Sequence, residues 1–214
     1  MAPVAPIIPH MPGSKTTPFI LPNQLPVMVL DRCYLLPGGV QPLYIFEERY
    51  RRMLDHALHT QRMFCLGDRK RNGEMRPITT AGVIATSVLS ADGSSQMVLH
   101  GIQRVRITGW AQEEPFLIAT IEPFETLHGP EDQIAELSRQ TMGLLDHFDI
   151  PEITENLALL QQLLKTRNDP EFICDMVTSL AVVRSSARRA VLEEPELLRR
   201  FEILLTELNR SAEG

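Results

Sequence analysis

"LPGGVQPLYIFEERYRRMLDHAL", Leu36 to Leu58, passes from turn to strand to helix in one short run. Pro37-Gly38-Gly39 supplies the turn, because proline holds φ near about −65° and glycine takes positive φ without a steric penalty. From Glu47 to His59 the residues Tyr50, Met53, Leu54, Ala57 and Leu58 recur on one helical face. Glu47 and Glu48 stand at the N-terminal end, where the helix dipole favours acids. A phosphate-binding loop needs Gly-x-x-x-x-Gly-Lys-Ser/Thr, so that backbone N–H groups and the lysine reach the phosphates. "PGGVQPLY" has neither that spacing nor the lysine, so the stretch reads as a tight turn that sends an apolar strand into a core.

Around it, short runs rich in Val, Ile and aromatics recur: LPVMVL (Leu25–Leu30), LYIF (Leu43–Phe46), MFCL (Met63–Leu66), AGVIATSVLS (Ala81–Ser90), MVLHG (Met97–Gly101), RVRITGW (Arg104–Trp110) and FLIATIEPF (Phe116–Phe124). Turn chemistry such as Asp92-Gly93 separates them, and the pattern predicts strands. Arg104, Arg106 and Thr108 alternate with Val105 and Ile107, which gives that strand one buried face. The planar fork of Arg104 suits a fixed carboxylate or carbonyl partner, and Gly101 suits a bulge or a close backbone approach.

After Glu125 the period becomes helical. Pro130, Pro151 and Pro170 each open an apolar-periodic segment, with Asp149 and Asp169 placed to cap two of them. The expected helices carry Ile134, Leu137, Thr141, Leu144, Leu145 and Phe148; then Ile153, Leu157, Leu160 and Leu164; then Phe172, Ile173, Met176, Val177 and Leu180. A short helix follows from Ser186 with Ser185 as its cap, and a last one after Pro195 carries Leu197, Leu198, Phe201, Leu204, Leu205 and Leu208. Residues 1–22 hold six prolines and no period. The expected organisation is therefore α+β: an irregular arm over 1–22, a strand-rich part over 23–127 and a helical part over 128–214.

At 214 residues, 43% hydrophobic and 22% charged, the chain is large enough to bury a proper core. It has no run of about 18 apolar residues and no export signal, so a soluble, cytoplasmic protein that does not enter membranes is expected. Cys33, Cys65 and Cys174 are too few and scattered for a disulfide framework and read as buried thiols. Residues 1–125 carry 12 Lys+Arg against 11 Asp+Glu, while residues 126–214 carry 9 against 16, so the acidity sits in the second half. Nucleic-acid affinity rests largely on Lys and Arg displacing counterions, so no nucleic-acid partner is expected.

The search for chemistry returns no constellation. His56 and His59 stand at i and i+3 without a third metal ligand in the sequence nearby, and read as surface histidines. There is no Gly-x-Ser-x-Gly elbow, and Ser185-Ser186 has no neighbouring base. Arg69–Arg71 and the pairs Arg51-Arg52, Arg188-Arg189 and Arg199-Arg200 read as solvated faces. The expectation is no catalytic residue, no metal and no cofactor.

Together, "LPVMVLDRCYLLPGGVQPLYIFEERYRRMLDHAL", "AGVIATSVLSADGSSQMVLHGIQRVRITGW" and "FLIATIEPFE" resemble the N-terminal domain of Lon-type ATP-dependent proteases, in a free-standing form. The resemblance rests on the LP-x-V-x-L strand, the PG turn before a P-L strand, the E-x-R-Y helix start and G-x-Q-R-x-R-I at Gly101–Ile107. It extends through "FICDMVTSLAVVRSSARRAVLEEPELLRRFEILLTELN" and covers about Leu25 to Asn209. It implies a PUA-like β-barrel followed by an α-helical bundle. The chain ends where the ATPase module would begin and lacks the Walker sequences and the Ser-Lys dyad, so the resemblance carries over no catalytic residue and implies a protein that is not an enzyme.

In Lon proteases this domain is associated with substrate recognition and with holding the hexamer together. The implied function is a non-catalytic polypeptide-recognition or adaptor module, whose partners are unfolded or partly folded segments or a protein. Tyr34, Tyr44, Tyr50, Trp110 and Phe116 are candidate binding contacts, with core packing the competing reading of each. A groove is expected at the joint near Thr126–Pro130, with acidic walls that favour clients carrying Lys or Arg beside apolar residues. An RNA-binding PUA-like module, and a small-molecule sensor or enzyme using the barrel mouth, are the alternative classes.

Overall fold

The computed structural model describes residues 21–145, 162–164 and 166–212. Most of the expected arm, Phe148, the Asp149 cap and the periodic residues Ile153, Leu157 and Leu160 lie outside the described residues.

Six strands form one sheet: β1 (Gln24–Val29), β2 (Val40–Ile45), β3 (Met63–Gly67), β4 (Ile78–Leu89), β5 (Ser95–Gln112) and β6 (Leu117–Pro123). Their order is β2-β5-β4-β3-β1-β6, and β6 also pairs with β5, so the order returns on itself. Only β1 and β3 run parallel. Parallel neighbours need a long connection, here β2 followed by helix α1 (Glu48–His59).

Strand β3 is buried along its whole length. Met63 and Cys65 pack with Leu25, Val27, Val105 and Ile121, whereas Phe64 and Leu66 pack on the other side with Tyr50, Met53 and Leu54. Burial on both faces is why MFCL is a continuous apolar run rather than an alternating one.

The expected strands Met97–Gly101 and Arg104–Trp110 are one strand, β5. Ala81 pairs with Gln103 but Gly82 with Gly101, so the register shifts across Ile102 and a bulge lets the strand continue. Gly101 does not end the strand; it admits another segment. Its N–H donates to the Gly39 carbonyl and its carbonyl accepts from the Gly38 N–H, each at 2.9 Å. A Cβ at Gly101 would overlap the Leu36 carbonyl oxygen. The Leu36 carbonyl in turn accepts from Gly39 N–H at 3.0 Å, and Gly38 has φ +80°, the geometry of a type II turn with Pro37 at its first corner. The turn that opens the deciding stretch is thus docked on the bulge of β5.

The remaining helices are α2 (Glu131–Leu145), α3 (Pro170–Ala181), α4 (Ser185–Glu193) and α5 (Leu197–Ala212). Asp169 caps α3, its carboxylate accepting from Glu171 N–H at 3.1 Å and Phe172 N–H at 3.2 Å. Ser185 is not a cap: it is the first residue of α4, and Arg184 before it makes no side-chain cap bond. Ile134, Val177, Val191 and Phe201 share one core with Tyr34, Leu36 and Ile78 from the strand-rich part. Apolar packing therefore crosses from the sheet to the helices.

Gly101→Val is expected to lower stability by about 1–3 kcal/mol, through overlap with backbone that cannot swing away. Gly109→Ala, on the same strand with open space around the added carbon, is the control and should leave the urea midpoint nearly unchanged.

Candidate functional site

At the joint near Thr126–Pro130, where a groove is expected, the strands and helices are tied by a buried ion-pair network. Arg104 on β5 and Asp175 on α3 are 2% and 0% exposed and form a two-pronged ion pair, with Nη2 at 2.7 Å from Oδ1 and Nη1 bonded to Oδ2. Arg104 also donates to the carbonyls of Val191 and Leu192 on α4. Burial by itself would loosen the proton on Arg104, but the Asp175 charge and hydrogen bonds outweigh it and hold the guanidinium charged.

Glu171 continues the network: it lies 3.6 Å from Arg104, 2.9 Å from Arg200 Nη1, and accepts the Thr126 hydroxyl. Arg200 also donates to the Glu194 carbonyl at 2.6 Å. Leu127 bridges Glu196 through Leu127 N–H to the Pro195 carbonyl and Leu197 N–H to the Leu127 carbonyl. Two arginines read as solvated are therefore structural. Arg200 is fully buried, and Arg188 is half-buried, donating to the carbonyls of Val182 and Ser179. Burying a charge is tolerable only with hydrogen-bonded partners, and for Arg200 two of these, Glu171 and Thr126, are 29 and 74 residues away.

A second tie is built on Asp68, 7% exposed after β3. It accepts from the Tyr34 hydroxyl at 2.5 Å, Arg32 N–H at 3.1 Å and Arg76 Nε at 3.1 Å, and Arg76 reaches Glu193 on α4 at 3.0 Å. Burial alone would raise the Asp68 carboxyl; these donors outweigh it and hold it below the usual carboxylate range.

Open space lies further along β5, three to six residues past Arg104. A cavity of about 570 Å³ has Met75, Ile107, Trp110 and Leu117 as apolar lining, with Arg69, Glu74, Arg76 and Glu113 around them. A smaller one of about 250 Å³ runs past Val27, Val29, Tyr50 and Phe116. Arg69, Glu113 and Leu117 line both, so the two adjoin as one groove across β1, β6 and the β5–β6 turn.

Of the five expected contact residues, Tyr34, Tyr50 and Phe116 are buried and Tyr44 and Trp110 are exposed. Tyr50 and Phe116 line the smaller cavity and Trp110 the larger. The Tyr50 hydroxyl donates to the Val29 carbonyl at 3.0 Å, and Tyr34 belongs to the Asp68 tie. Tyr44 stands apart on β2, stacked on Phe46 with ring centroids 5.7 Å apart, in an exposed apolar row with Val40 and with Val88 of β4. Sequence reading missed Glu113 and Leu117; their one signal is position, in and beside the turn that closes β5 onto β6.

Among the described residues no group of three His, Cys, Asp or Glu is placed to hold a metal ion, and no helix is long and apolar enough to cross a membrane. Cys65 and Cys174 are buried and Cys33 is half-buried. Burial pushes the Cys65 thiol up to about 12.

This is a mixed α+β fold, a six-stranded sheet with helices, and solved Lon N-terminal domains share it. The N-terminal domain of a Mycobacterium avium complex Lon protease superposes with a TM-score of 0.69 at 17% identity, over 87% of this chain and 98% of that one. A Lon N-terminal domain protein from Xanthomonas campestris gives 0.59 at 21% identity, over 86% and 97%. The family model for the ATP-dependent protease La (Lon) substrate-binding domain matches residues 24–210, and the chain belongs to that family. Lon protease 2 of Myxococcus xanthus is 24% identical over 200 residues, and the Lon protease of Anaeromyxobacter dehalogenans is 25% identical over 200. Each match covers 90% of this chain but 24% of the relative, so the chain spans about a quarter of their length.

Two stability measurements follow. Asp175→Ala should lower stability by about 3–5 kcal/mol, because Arg104 is left buried and unpaired, while Arg104→Met with Asp175→Leu should recover much of the loss in urea unfolding. Asp68 has a folded pKa below its unfolded value, so its stabilisation is complete above about pH 4 and is lost as the pH falls through the folded value. Asp68→Asn should flatten that acid limb in midpoints measured from pH 6 down to pH 2.

Proposed function

We propose that this chain is a non-catalytic module that recognises extended polypeptide segments, and that the groove past Trp110, Leu117 and Phe116 is where it holds them. The observation that carries the reading is the adjoining pair of cavities, lined by apolar side chains among charged ones and bordered by the β5–β6 turn. A chain lying along it would bury apolar side chains without having to displace the Arg104–Asp175 joint. Membership of a family described as a substrate-binding domain supports the same reading.

In this reading the closed run β5-β4-β3-β1-β6 is the PUA-like barrel and the helices form the bundle, with the division near residue 127. The barrel carries the binding surface, and the bundle, locked onto β5 at Arg104, braces it. The module acts by holding a client or a protein partner, without chemistry of its own.

Fluorescence anisotropy with labelled, unstructured peptides of about ten residues tests the assignment. Affinity is expected on the order of micromolar, since a flexible client must be ordered on binding. Trp110→Ala and Leu117→Gln should each weaken binding about tenfold, with circular dichroism unchanged. Full binding by both variants would place the contact elsewhere on the molecule, and no binding to any peptide would refute polypeptide recognition.

A further inference from the structure

The groove holds a charge imbalance at its centre. Of the acids lining it, Glu74 is paired with Lys70 at 3.1 Å, but Glu113 and Glu114 make no ion pair or hydrogen bond among the described residues. Of the arginines, Arg76 is engaged by Asp68 and Glu193, and Arg49 by Glu47 at 2.9 Å and by the Tyr50 ring at 4.5 Å. Arg69 donates to the Gly73 carbonyl at 2.9 Å and is the lining cation without a carboxylate partner. Two uncommitted carboxylates therefore face one uncommitted guanidinium.

Position sharpens this. Glu113 and Glu114 occupy the turn between β5 and β6, and Gln112 Nε2 donates to the Phe116 carbonyl at 2.8 Å across that turn, which pins it. Glu113 lines both cavities, and Trp110, 37% exposed, lines the larger one with it. An indole face beside a carboxylate suits a cationic side chain, which gains from the ring quadrupole and the ion pair together.

Resting on the polypeptide-recognition reading, we propose that the groove selects segments in which a Lys or Arg stands next to an apolar residue, the cation at Trp110 and Glu113 and the apolar side chain against Leu117. The acidic surface that selects such clients comes from the β5–β6 turn rather than from the acidic second half of the chain. The local charge, not the half-chain balance, sets the preference, because exposed charges more than about 8–10 Å away are screened at physiological salt.

Trp110 is the sole tryptophan of the sequence, so its emission reports on this groove directly. Three acetylated, amidated ten-residue peptides of Ala, Leu and Ser, carrying two Lys, two Gln or two Glu, are titrated at low and at moderate salt. The Lys peptide should bind about three- to tenfold more tightly than the Glu peptide and shift Trp110 emission, with the gap narrowing as salt rises. Glu113→Gln with Glu114→Gln should bring the three peptides within about twofold of one another. Equal affinity for all three with Trp110 emission responding would overturn the charge preference and leave the groove standing. Binding seen by anisotropy without any change at Trp110 would overturn both, and a preference that survives the double substitution would overturn the role of the two glutamates.

Discussion

A guanidinium with almost no access to water must have its charge met where it lies, and in this fold Arg104 is met by Asp175. The two-pronged contact is directional, so α3 cannot slide along β5 by even one residue without leaving two buried charges unpaired. Apolar contacts alone would be more forgiving, since they are non-directional. The carbonyls of Val191 and Leu192 bring α4 into the same arrangement, and Glu171 extends it to Arg200 on α5 and Thr126 before α2. One strand position thus sets the placement of three helices and the chain that leads to a fourth.

The joint also separates the helical part from the cavities. Charged partners and the Leu127–Glu196 bridge occupy the boundary between strands and helices, and open volume lies further along β5, past Ile107. There, β6 pairs with both β1 and β5, holding the walls of the groove in fixed relation. The turn that joins β5 to β6 carries acids that no other side chain claims among the described residues. The buried Arg104–Asp175 pair and the cavity lining from Ile107 to Trp110 lie on the same strand.

The site was only partly legible. Tyr34, Tyr44, Tyr50, Trp110 and Phe116 stand out by residue type, but type does not distinguish a tyrosine whose hydroxyl is taken up by Asp68 from one that stacks in the open on Phe46. The same holds for the arginines. In sequence, Arg199-Arg200 sits among glutamates and reads as a solvated pair, yet Arg199 is exposed and paired to Glu196 while Arg200 points into the joint. The helical period places neighbouring residues about 100° apart, so one faces water and the other does not. Which one is buried depends on where α5 lies, and that is set by contacts with Glu171 and Thr126.

What the sequence determined by itself is local. The turn at Pro37-Gly38, the amphipathic face of α1, the strand runs, the Asp169 cap and the change to a helical period after Glu125 follow from residue preferences and spacings within a few positions. The resemblance to Lon N-terminal domains was legible for the same reason, since it rests on such short patterns. Tertiary structure decided what links distant positions: that two strand runs are one strand bulged at Ile102, that Gly101 admits the Gly38-Gly39 turn, and that Arg104 is answered by a carboxylate 71 residues away. It also placed a cavity beside Trp110. The physical reason is that burial and electrostatic pairing depend on separation in space, and separation in space is undefined until the chain has closed its sheet.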